Sequence, residues 1–175
     1  MANILILYST TDGHTRKICE FLQQFIEQQN NRVTLLSIDE ASTVDIAAYD
    51  KIVLGASIRY GKHAKPVYAF VREYQPLLDS LPNAFFSVNL VARKPGRNTP
   101  ENNPYVKRFL KQIAWTPGHL AIFAGKLNYP NYNFWDRKII QMIMWMTGGP
   151  TDPGAVVEYT DWDQVEAFGL RICEM

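Results

Sequence analysis

The sequence predicts an α/β fold in which one parallel sheet of five strands carries helices on both faces. Three observations point there. Short apolar runs recur without polar alternation, the pattern of strands buried on both sides. Between them, apolar residues fall at helical spacing. No internal repeat, low-complexity tract or linker divides the 175 residues, a length near the ~150-residue prior for one domain.

Ile4 to Tyr8 forms the first buried strand. Ile18, Leu22, Phe25 and Ile26 then mark a helix from about Thr15, which Gln28 to Asn31 ends. Val33 to Ile38 reads as the second strand, with a short helix or turn around Thr43 to Tyr49. Ile52 to Ala56 is the third strand, and Val67, Phe70, Val71, Tyr74 and Leu78 line a helix with Pro66 in its first turn. Ala84 to Val88 is the fourth, followed by a helix carrying Val106, Phe109, Leu110 and Ile113. After a fifth strand, Ala121 to Ala124, the last helix starts near Asp161, where Thr160 and Asp163 resemble a capping box. Right-handed crossovers between such units place helices on both faces. Lys126 to Tyr159 is far longer than an αβ connection needs and reads as an insertion in the last unit of a single domain.

Composition narrows the function. A hydrophobic fraction of 47% and a charged fraction of 20% are globular values. Eighteen basic against 17 acidic residues leave a net charge of +1, so no global field selects nucleic acid, and no aromatic–basic platform is evident for one. Cys19 and Cys173 are too few for a disulfide framework or a zinc site. They read as inert thiols in a reducing, cytoplasmic compartment. No export signal and no run of ~18 apolar residues is visible.

In open parallel sheets, ligands bind beyond the strand C-termini, where strand order reverses. The first strand runs into Ser9-Thr10-Thr11-Asp12-Gly13-His14-Thr15 immediately before a helix. Four hydroxyls, a glycine permitting close backbone approach and an unpaired helix N-terminus make a phosphate cradle without a lysine. One cap would need only one of these residues. No G-x-x-x-x-G-K-[ST] or G-x-G-x-x-G is present, which leaves NTPase and Rossmann dinucleotide readings unsupported. Asp12 is awkward beside a dianion, and whether it turns away to cap N–H groups stays open at this point.

Two more loops meet the same edge. Ser57-Ile58-Arg59-Tyr60-Gly61 offers an aromatic plane and a cation, while Asn89-Leu90-Val91-Ala92-Arg93-Lys94 offers an amide and then charge. A flat heteroaromatic ring with polar edges suits such walls, although Tyr60 alone serves equally as a surface anchor. From Asn89 to Lys111, six basic residues face Glu101 alone, a local charge of +5 fit for carboxylates or anionic headgroups, or simply a solvated face. In the insertion, Ile139, Ile140, Met142, Ile143 and Met146 fill one broad helical face, with Met144 and Trp145 on the side of Arg137, Lys138 and Gln141. Apolar residues on both sides exceed what packing needs. The helix could lie in a membrane interface, lid a flat apolar substrate, or be clamped by another subunit in a homo-oligomer.

S-T-T-D-G-H-T at Ser9 to Thr15, G-A-S-I-R-Y-G at Gly55 to Gly61 and S-V-N-L-V-A-R-K-P at Ser87 to Pro95 resemble a flavodoxin-like FMN-binding domain. More closely, they are similar to the bacterial quinone-dependent protoporphyrinogen IX dehydrogenases. Y-P-N-Y at Tyr129 to Tyr132, G-G-P-T-D at Gly148 to Asp152 and Y-T-D-W at Tyr159 to Trp162 extend the likeness over nearly the whole chain.

The resemblance implies the flavodoxin strand order 2-1-3-4-5 and oxidation of protoporphyrinogen IX in haem biosynthesis, with electrons passing through FMN to a membrane quinone. It also implies a peripheral place on the cytoplasmic side of the inner membrane. FMN would be held by Ser9, Thr10, Thr11, Asp12 (through its backbone), Gly13, His14 and Thr15. Ser57, Tyr60, Gly61, Asn89, Leu90, Val91 and Ala92 would surround it, with Gly125 and Tyr129 after the fifth strand. Arg59, Arg93, Lys94 and Arg97 are candidates for the substrate's carboxylates, and no residue stands out as an obligatory acid or base. Rival readings are a flavodoxin electron carrier, an NAD(P)H-quinone oxidoreductase of the same fold, and an FMN-free interaction module.

Overall fold

The computed structural model describes residues 1–175. Its elements follow the order β1 (Asn3–Ser9), α1 (His14–Gln28), β2 (Arg32–Ser37), β3 (Lys51–Arg59), β4 (Lys62–His63), α2 (Lys65–Ser80), β5 (Asn83–Asn89), α3 (Pro104–Gln112), β6 (His119–Ala124), β7 (Lys126–Asn128), α4 (Phe134–Met146), β8 (Val156–Glu158) and α5 (Trp162–Glu174). Five strands pair in parallel in the order β2-β1-β3-β5-β6. This is the expected flavodoxin-like order, with the short β4 added at the end of β3.

The unbroken apolar runs are explained by the two-residue period of a strand. Leu5, Leu7, Ile52, Leu54 and Phe85 face one core with Val67, Phe70, Val71 and Leu78 of α2 and Phe109 of α3. Their neighbours Ile4, Ile6, Val53 and Phe86 face the other, against Ile18, Leu22 and Ile26 of α1 and Val165, Phe168 and Ile172 of α5. Gly55 belongs to that second face: a Cβ there would lie 2.3 Å from the Phe86 ring.

Three local features differ from expectation. β3 continues to Arg59, where Tyr60 and Gly61 turn the chain back into β4 with Ile58 opposite His63. Both turn residues have positive φ, 52° and 77°, the geometry that matches the twist of a two-residue hairpin. The cap of α5 is Asp161, whose carboxylate accepts from Asp163 and Gln164 N–H, so the Thr160 capping box does not form. Thr160 Oγ1 instead donates to Ala124 O at 2.7 Å, which anchors the chain entering α5 to the end of β6.

The third difference concerns the face of α4. Met144 is fully buried with Leu127, Tyr129 and Tyr132, and Ile140 packs against them. Met142, Trp145 and Met146 are exposed instead, together with Phe134 and Trp135. With apolar residues all round, periodicity could not select the inner face. Of the polar groups nearest that face, Arg137 Nη2 donates to Tyr132 O at 3.3 Å and Gln141 Nε2 to Thr151 O at 2.8 Å, while the buried Arg137 Nε has no partner. The antiparallel β7–β8 ribbon joins the two ends of the insertion. No helix is long and apolar enough to cross a membrane.

Candidate functional site

A cavity opens at the C-terminal ends of β1, β3, β5 and β6, bounded by the loops that follow them and roofed by α4. Its floor is the start of α1. Gly13 occupies the N-cap with φ 87° and no side-chain cap, so the first N–H groups of the helix have no intrahelical partner. Lys17 N–H is the first to be bonded, to Gly13 O at 3.1 Å. Thr15, also at this end, is 1% exposed, yet its Oγ1 has no hydrogen-bond partner. A buried hydroxyl beside a positive dipole end fits a phosphate, and no protein group competes for it.

Asp12 does not cap those N–H groups. Both its carboxylate oxygens accept from Arg59 Nη2, at 2.7 and 2.6 Å. The ring of His14 is likewise engaged elsewhere: its Nε2 lies 2.6 Å from Thr160 Oγ1, whose proton goes to Ala124 O. Nε2 is therefore the donor. Burial depresses the His14 pKa, and the Glu158 carboxylate 3.8 Å away offsets this only in part. A neutral ring leaves the backbone N–H as the part of His14 facing an anion.

The walls come from two loops. Tyr60 is held in the left-handed region, which costs a non-glycine residue about 1 kcal/mol, and presents a ring 56% exposed. Its hydroxyl donates to Asp136 at the start of α4. On the far side, Asn89 Oδ1 accepts from Ala92 N–H (3.1 Å) and from Asn103 Nδ2 (3.0 Å). Asn89 Nδ2 donates to Ser87 Oγ at 3.4 Å, and Ser87 Oγ lies 2.9 Å from Nε2 of buried His63. This buried chain of polar groups fixes the turn Leu90–Arg93.

The cavity brings together most of the residues singled out from sequence: Thr10, Thr11, Asp12, His14 and Thr15 at the floor, and Ser57, Arg59, Tyr60, Gly61, Asn89, Leu90, Val91, Arg93 and Gly125 around it. It does not include Ser9, Gly13, Ala92, Tyr129, Lys94 or Arg97 in its lining. Ala92 packs with Val106 and Ile122, and Tyr129 is buried beneath the insertion with its hydroxyl on Pro150 O at 2.7 Å. Arg93 Nη1 donates to Leu90 O and Nη2 to Thr147 Oγ1, and Arg97 Nη1 to Asn102 O. Sequence reasoning did not place Tyr105, Tyr132, Ile139, Ile140, Ile143 or Met144 in this wall. For the α4 residues, the excess of apolar side chains was the available signal.

An uncapped helix start at the floor, an aromatic wall and an apolar roof at the reversal point of a parallel sheet are the features of a flavodoxin-type protein, a fold that implies a flavin. The match agrees: residues 5–154 fit the flavodoxin domain, and the chain belongs to that family. It is 42% identical over 171 residues to the protoporphyrinogen IX dehydrogenase [quinone] of Escherichia coli strain K12, covering 98% of this chain and 94% of that protein. It is 44% identical over 165 residues to the protein of the same name from Leishmania major, covering 94% and 71%. These relatives make the chain an oxidoreductase of that group. Among solved structures it is similar to a flavodoxin from the domain Archaea (TM-score 0.54, 16% identity, 98% of this chain and 96% of that one). The two-electron reduced flavodoxin of Megasphaera elsdenii is also similar (TM-score 0.53, 17% identity, 68% and 84%). Both describe the fold.

Proposed function

We propose that this chain binds FMN and oxidises protoporphyrinogen IX to protoporphyrin IX, delivering the electrons to a quinone, as a step of haem biosynthesis. The observation that carries the cofactor is the partnerless buried hydroxyl of Thr15 beside the uncapped start of α1. Backbone N–H groups of His14 and Thr15 and the Thr15 hydroxyl would hold the phosphate, and Gly13 leaves room for it to approach. Tyr60 and the Asn89–Val91 turn would flank the ring, and Ile139 and Ile143 would shield it from water. The flavin's chemistry is to accept an electron pair; removing six electrons and six protons from the porphyrinogen takes three such rounds and reduces three quinones to quinols. The protein's own part is to position and enclose.

The exposed face of α4, with Phe134, Trp135, Trp145, Met142 and Met146 beside Lys138, supports a peripheral seat at an anionic bilayer. We place the protein on the cytoplasmic side of the inner membrane, where a lipid-soluble quinone is within reach. The test is a flavin absorbance spectrum of the purified protein, then porphyrin fluorescence on adding protoporphyrinogen IX and menadione under exclusion of oxygen. Fluorescence should rise only with the quinone present. A flavin-loaded protein that leaves the porphyrinogen unoxidised overturns the reading.

A further inference from the structure

A second cavity, of about 650 Å³, lies on the other side of the Ser57–Tyr60 segment, within the ~300–1,000 Å³ range of small-molecule sites. Thr11, Ser57, Arg59 and Tyr60 line both cavities, so an occupant of the second lies against the edge of the first. Its outer wall carries Lys62, Lys65 and Arg72, all exposed. None of the three has a carboxylate partner in the structure, and no Asp or Glu lines the cavity. Tyr60 and Tyr68 line it as well, and Tyr60 also lines the first cavity.

The cations near the first cavity are differently placed. Arg59 is neutralised by Asp12, while Arg93 and Arg97 are tied to backbone and hydroxyl groups of their own surroundings. Lys94 lines neither cavity, and Lys126 lines the first without a carboxylate partner, a single free cation where the second cavity gathers three. An apolar macrocycle of pyrrole rings bearing carboxylates at one edge needs an aromatic surface bordered by unpaired positive charge, and the second cavity provides both.

Resting on the function proposed above, we infer that this groove is the porphyrinogen site, with Lys62, Lys65 and Arg72 receiving the two propionates and Tyr60 and Tyr68 bearing the macrocycle. The ring is thereby held at the border with the cofactor cavity. Two of these contacts are worth roughly tenfold or more in substrate KM at moderate salt.

The test uses flavin-loaded protein and two substrates, protoporphyrinogen IX and its dimethyl ester, which lacks the carboxylates. Lys65→Gln with Arg72→Gln should raise KM for the diacid about tenfold or more. KM for the ester and for menadione should stay within about twofold, with an unchanged flavin spectrum. Arg32→Gln with Arg171→Gln, both exposed and outside both cavities, controls for the loss of two positive charges. Equal change for diacid and ester, no change for either, or an effect of the Arg32/Arg171 pair as large as that of the Lys65/Arg72 pair overturns the groove assignment. Failure of the broader function is separable, because the flavin-loaded parent protein would then oxidise neither substrate.

Discussion

Arg59 Nη2 sits 2.7 and 2.6 Å from the two carboxylate oxygens of Asp12, joining the loop after β1 to the end of β3 within the cavity lining. Arg59 Nη1 also lies 3.9 Å from Asp136 Oδ2, its guanidinium stands 5.4 Å from the Tyr132 ring centre, and the Tyr60 hydroxyl donates to Asp136. Three separate segments, two loops of the sheet and the insertion helix, therefore share one polar junction. Partly solvated ion pairs of this type contribute only about 0–1 kcal/mol each. Their effect is on position more than on global stability.

Asp136→Asn should loosen the roof without unfolding the sheet. Hydrogen exchange within 134–146 should quicken severalfold while the melting temperature moves by no more than about 2–4 °C. Unaltered exchange in α4 would show that the junction does not hold the helix.

Gly13→Val should weaken FMN binding by about tenfold, read by quenching of flavin fluorescence on titration. No atom lies within 4 Å of a Cβ at this position, so crowding within the protein is not the cause. The cost is a β-branched residue at φ 87°, about 1–2 kcal/mol, together with a side chain where the phosphate must approach.

His63 makes stability depend on pH. Burial lowers its pKa from an ordinary 6.5 to about 3, so in acid the unfolded chain takes up a proton that the folded one refuses. The contribution is complete above pH 6.5 and is lost as pH falls toward 3, with a slope of up to about 1.4 kcal/mol per unit. His63→Gln, which keeps a polar group for Ser87, should flatten denaturant-derived stability between pH 6.5 and about 5 by roughly 1 kcal/mol per unit. His14, also depressed by burial, retains its share of the slope.

Trp135→Ala with Trp145→Ala should reduce co-sedimentation with anionic vesicles by about tenfold and leave the flavin spectrum unaltered. These rings are 74% and 76% exposed, so removing them opens no internal void. Equal partition of parent and variant would remove α4 from any lipid contact.

The strands and most helices were legible because burial on both faces writes itself as runs such as Ile4 to Leu7, and one-sided burial as spacings such as Ile18, Leu22 and Ile26. The segment Ser9 to Thr15 was legible as a candidate anion cradle because four hydroxyls and a glycine exceed the needs of a cap, and the start of α1 there carries no side-chain cap. What escaped depends on contacts between segments far apart in the chain. Asp12 turning to Arg59, Thr160 reaching Ala124 while Asp161 caps α5, and Tyr105 joining the cavity leave no local periodic trace. The inner face of α4 was illegible for a different reason: Met142, Met144 and Met146 are chemically alike, and only Leu127, Tyr129 and Tyr132 beneath them decide which one is buried.

The β7–β8 ribbon sets Lys126 directly opposite Glu158. The excursion between them therefore leaves and rejoins the chain at neighbouring points, like an appendix on a closed stem. Such an architecture lets the roof be trimmed, lengthened or grafted from one scaffold to another while the floor of the cavity and the five-stranded sheet stay as they are.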